Sequence, residues 1–109
     1  MAAQEDEKKI FTAPAIADDG TAVVVWAQPG EVRAAFRRPG RRFGRSVLIG
    51  RIAGGDTAAI DGVAVGLDRT GRLGVVAWTD FHSRFLTTAS VRSIDAHAGR
   101  PASRGAPIR

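Results

Sequence analysis

Apolar residues along this chain fall in short runs, and each run is cut off by a cluster of Gly, Pro, Asp or Arg. No window of helical length carries an apolar face at i, i+3, i+4 and i+7, whereas β-branched runs recur throughout, so the pattern predicts an all-β fold. A first set of four strands reads "APAIA" (13–17), "AVVVWA" (22–27), "VRAAFRR" (32–38) and "SVLIGRI" (46–52). Between the second and third stands "QPGE", where Pro29 presets φ for the first central turn position and Gly30 supplies the positive φ of a type II turn. In the third strand Val32, Ala34 and Phe36 share one face while Arg33, Ala35 and Arg37 share the other, which predicts a half-exposed strand. "AVVVW" has no polar alternation, so it is expected to be covered on both sides.

The phrase returns. "DGVAVGL" (61–67), "LGVVAW" (73–78) and "FLTTASVRS" (85–93) follow in the same order, and Trp26 and Trp78 stand 52 positions apart (78 minus 26). Arg38 and Arg92 pair at 54 (92 minus 38). A fourth strand is not evident in "IDAHAG" (94–99). Sheet units of four strands recurring at this spacing are the signature of propeller blades, each of which buries its apolar faces on its neighbours. The expected organisation is a polar N-terminal segment at 1–10, a first β repeat at 11–55, a second and incomplete one at 56–96, and a mobile basic tail at 97–109.

"PAIADDGTAVVVW" and "VRAAFRRPGRRFG" together resemble the blade repeats of β-propellers in large secreted or envelope-associated proteins of high-GC bacteria, and "VAVGLDRTGRLGVVAW" resembles the start of a second blade with one inserted residue. The resemblance implies an all-β fold of antiparallel four-stranded blades, about two in number, with a small β-sandwich as the alternative. It implies no single activity, because that family carries none. Two blades do not close a ring, so the resemblance casts the chain as a fragment of a longer propeller or as a subunit that self-associates. Localisation follows the same fork: cytoplasmic for a complete chain, extracellular or envelope for a fragment. The Asp box of sialidases is excluded because Trp26 stands too far beyond Thr21. "LDRTGRL" offers too few carboxylates for the calcium loops of integrin-type propellers.

Composition narrows the chemistry. There is no cysteine, which removes disulfides, thiolate nucleophiles and cysteine-ligated zinc. No apolar run is long enough to cross a membrane as a helix. The formal charge of +5 comes from arginine, since Lys8 and Lys9 are the only lysines. An arginine-rich surface suits an acidic partner, although enrichment of Ala, Arg, Gly and Val together is also what high-GC coding produces.

Three places invite a chemical reading. "TDFHS" brings Asp80, His82 and Ser83 within four residues, but a catalytic relay needs side chains converging from different elements, so this segment is expected to be a polar inter-strand loop. Asp18 and Asp19 beside Gly20 read as turn residues that cap their own backbone, and His97 lacks a partner at metal-ligand spacing. The third place is "RRPGRRFGR". Arg37, Arg38, Arg41, Arg42 and Arg45 surround Phe43 on a loop, the residue types that grip phosphate and stack on bases. The competing reading makes it a solvated hairpin tip with Phe43 tucked into the blade. Sugar stacking is disfavoured because there is no tyrosine and both tryptophans end apolar strands. The sequence thus predicts a non-catalytic β-repeat scaffold for protein or glycan binding, with no cofactor or metal. Its partners are further blades or copies of itself; arginine-mediated binding of a polyanion or nucleic acid is the alternative, with nucleic acid disfavoured as a partner, and an enzyme is the weakest class.

Overall fold

The computed structural model describes residues 11–52, 59–83 and 86–102. Among them there is no helix: eight strands form two four-stranded sheets, each a simple antiparallel meander. The first contains β1 (Thr12–Ile16), β2 (Ala22–Gln28), β3 (Glu31–Arg37) and β4 (Val47–Arg51); the second contains β5 (Ala59–Leu67), β6 (Leu73–Ser83), β7 (Leu86–Asp95) and β8 (Arg100–Pro101). The all-β expectation holds, with strand ends within a residue or two of the sequence reading in the first sheet.

Three expectations are corrected in the second sheet. Its fourth strand exists, as the two-residue β8, and it lies in the segment read as a mobile tail, where Ile94 and Asp95 of β7 pair with Pro101 and Arg100. The ladder is too short to carry an alternating pattern, which is why the sequence hid it. "TDFHS" is the end of β6 rather than a loop, since Thr79, Asp80 and Phe81 face Ala89, Thr88 and Thr87 across the ladder, where β-branched partners favour pairing. Arg38 and Arg92 are not equivalent: Val24 pairs with Ala35 and Val76 with Arg92, so Arg92 occupies the place of Ala35. The boundary drawn at 55/56, the N-terminal segment and residues 103–109 lie outside the described residues.

Register decides which face each side chain takes. Val23, Val25 and Ala27 pair with Phe36, Ala34 and Val32, and all six are buried on the inner face of the first sheet. A bulge between Val32 and Arg33 brings Ile49 into the same core. From the second sheet come Val76, Trp78 and Ile94, flanked by Val63, Val65 and Leu67. One core therefore joins the sheets. At about 25 cal/mol per Å² its apolar burial is the main term holding them together.

Trp78 is 6% exposed and lies over Gly50, where an added Cβ would stand 2.5 Å from the indole ring. Trp26 is only half-buried, because β2 turns Val24 and Trp26 outward while β6 turns Val76 and Trp78 inward. "AVVVW" is consequently covered fully on one side and only partly on the other, which corrects the expectation of a strand buried on both faces. The sheets also stack in the same strand order, with β1 and β2 against β5 and β4 against β8. Val24 and Trp26 thus face outward in the first sheet, and Val76 and Trp78 face inward in the second.

Candidate functional site

The arginine loop connects β3 to β4 and stands at the surface. Arg38, Arg41, Arg42 and Arg45 are exposed, and a turn closed by Arg41 N–H donating to the Arg38 carbonyl (3.0 Å) places Arg38, Pro39 and Arg41 around a shallow hollow. Arg37 differs. It is the last residue of β3, half-buried, and its guanidinium lies 5.5 Å from the centre of the Phe43 ring. Its Nε is buried with no hydrogen-bond partner. Phe43 is 46% exposed, so it is not tucked into the sheet as the hairpin-tip reading requires; it folds over the arginine instead. Of the five predicted arginines, four form an open cationic rim and one supports the aromatic.

At the same end of the sheets, where Gly20 lies beside Pro39, a polar cluster forms that the sequence did not announce. Asp19 accepts from the backbone N–H of Thr21 (2.8 Å) and from its hydroxyl (3.0 Å), which satisfies Thr21 where it is fully buried. His97 Nε2 lies 3.1 Å from Asp19 Oδ2, the oxygen that accepts from the Thr21 hydroxyl. The Thr21 amide, followed by the Thr21 hydroxyl and His97, holds the Asp19 carboxyl below its ordinary range. Asp68 makes the matching turn in the second sheet, and its carboxyl is held low by the Thr70 hydroxyl and then by the amides of Leu73, Arg72 and Gly71. The capping role expected of Asp19 is therefore what the chain adopts, while His97, placed in a tail by the sequence, sits in the turn between β7 and β8 and ties it to the β1–β2 turn. One imidazole with one carboxylate makes a contact between sheets, and among the described residues no group of three or more potential metal ligands occurs.

Asp80, His82 and Ser83 all stand on the single strand β6, which does not give them the separate elements a relay requires; their side chains lie outside the described residues.

Sequence reasoning did not single out the residues of the outer face of the second sheet. Gly62, Ala64 and Gly66 of β5, Leu73, Val75 and Ala77 of β6, and Ala89 and Val91 of β7 lie side by side there. Leu73, Val75 and Val91 are 54%, 41% and 59% exposed. A Cβ added at Gly62 or Gly66 would meet nothing within 4 Å, so the β5 part of the face is a flat floor of small residues. The signal was available in the alternation Gly62-x-Ala64-x-Gly66 and Leu73-x-Val75-x-Ala77, but alternation alone does not say which half points to the core. No helix of the described residues is long and apolar enough to cross a membrane. No protein-family model, curated protein or solved structure matches the chain.

Proposed function

We propose that this chain is a non-catalytic β-repeat scaffold of propeller-blade type, which works by offering open sheet faces to other protein surfaces. The observation that supports the reading best is the outer face of β5 to β7, where Leu73, Val75 and Val91 stand exposed among Gly and Ala. From standard strand spacing and rise, three strands of about seven residues cover on the order of 300 Å². That is the size of the largest apolar patches on soluble monomers, and such patches are often binding sites. A face of methyl and methylene groups offers a sugar few hydrogen bonds, so it suits a protein surface better than a glycan. Two meanders stacked in the same strand order, with Trp26 and Trp78 at matching places, support the blade reading.

The test is the double variant Val75→Arg/Val91→Arg, compared with the parent by sedimentation velocity and by fluorescence of an anilinonaphthalene sulfonate probe. A docking face predicts that the variant loses either the association or the probe binding shown by the parent, while its far-UV spectrum stays unchanged. If the substitutions alter neither, the face is not a docking surface and the scaffold reading fails.

Polyanion binding at Arg38, Arg41, Arg42 and Arg45 is the second reading, favoured by their shared exposure on one rim. It predicts affinity for a polyanion such as heparin that falls steeply with added salt through counterion release.

A further inference from the structure

Resting on the scaffold reading, we infer that the occupant of the open face is a second copy of this chain, docked head to tail: the outer face of the second sheet of one copy takes the outer face of the first sheet of the next. Inside the molecule the first sheet contributes the face of Val23, Val25, Ala34 and Gly50, and the second contributes the face of Val76 and Trp78. These are opposite faces of equivalent strands, since Val76 and Trp78 occupy the places of Val24 and Trp26. An isologous pairing would put the same face of each sheet inward; this one is heterologous.

A heterologous contact leaves one face of each kind uncovered. The first sheet is left with the Trp26 face, on which Pro14, Val24 and Leu48 share the outward side with Arg33 and Arg37. The second is left with the floor of Gly62, Ala64, Gly66, Ala77, Val75 and Val91. These correspond, strand for strand, to the two faces already joined in the core. Outside the core Trp26 stands half-buried on one face, and the floor beside Gly62 and Gly66 on the other is open. Charge does not tell the faces apart, since Arg33 of the tryptophan face is paired with Glu31 (2.8 Å) and Asp95 of the floor stands across from Arg100; the correspondence with the core contact does.

Complementary blocking variants test the inference. The parent is expected to sediment as a species larger than a monomer at micromolar concentration. Val91→Arg closes one face and Trp26→Arg the other, so each variant alone should sediment as a monomer, and an equimolar mixture should form a dimer through the one intact pair of faces. Pro14→Arg, at an exposed position of β1, serves as the second block of the tryptophan face should Trp26→Arg fail to fold, as judged by circular dichroism and melting. Dissociation by Val91→Arg with no effect of either Trp26→Arg or Pro14→Arg would show floor-to-floor pairing and overturn the head-to-tail inference while the scaffold reading stands. A parent that remains monomeric overturns it too, and if that monomer also fails to bind the hydrophobic probe the scaffold reading falls with it. A mixture that yields no dimer is equally decisive against it.

Discussion

Two glycines carry opposite demands, and substitution separates them. Gly30 has φ 78° at the second central position of the Pro29–Gly30 turn, and Gln28 pairs with Glu31 on either side, as a type II hairpin requires. A β-branched residue resists positive φ, so Gly30→Val should cost about 1 kcal/mol or more. Gly50 is constrained by space instead. Even the single carbon of Gly50→Ala would enter the Trp78 ring, and overpacking of this kind costs roughly 1–3 kcal/mol. Chemical denaturation should show that Trp78→Phe partly rescues Gly50→Ala, because the smaller ring returns space, and that it leaves Gly30→Val unrescued. Trp78→Phe also removes an indole N–H that is buried without a partner, which softens its own cost.

At the scale of elements, the β3–β4 loop divides into a free part and a tied part. Replacing Arg38, Arg41, Arg42 and Arg45 together by serine should leave the melting temperature nearly unchanged, since exposed loop substitutions usually fall within about 0.5 kcal/mol. Adding Arg37→Ser should lower it, because the guanidinium over Phe43 is lost, a contact worth roughly 0.5–1 kcal/mol at a partly exposed site. Equal melting of the four-fold and five-fold variants would remove Arg37 from the fold's support. In the first sheet the hairpin chemistry and β-branched runs made all four strands legible. In the second, β6 extends past Trp78 because its cross-strand partners supply pairing that no local turn signal opposes, and β8 is held by its neighbour rather than by its own two residues.

For the whole molecule, the contact between Asp19 and His97 couples the two sheets at residues 78 positions apart (97 minus 19). Because the folded carboxyl titrates below its unfolded value, its contribution is fully present above the ordinary carboxylate range and is lost as pH falls through the lowered value. Asp68 adds to stability with the same sign. Melting temperatures measured from neutral to strongly acid pH should therefore fall below about pH 4. Asp19→Asn should flatten that acid limb in part, and Asp19→Asn with Asp68→Asn should flatten it further. An unchanged acid limb in the double variant would show that neither turn carries the pH dependence.

The sequence alone determined what is local: strand identity, from β-branched runs bounded by Gly, Pro and Asp; the Pro29–Gly30 turn; the self-capping Asp19 turn; and the four strands of the first sheet. It could not determine orientation. Alternation gives two faces to every strand, and a run such as Val23-Val24-Val25-Trp26 looks the same whichever of them meets the core. Tertiary packing decided that Val23 and Val25 face inward in one sheet while Val76 and Trp78 do so in the other, and hence that Trp26 and the Val75–Val91 face remain open. It also drew His97 onto Asp19, because a hydrogen bond between residues 78 positions apart forms only after the sheets have brought their ends together, and the cost of closing that loop leaves no mark on local composition.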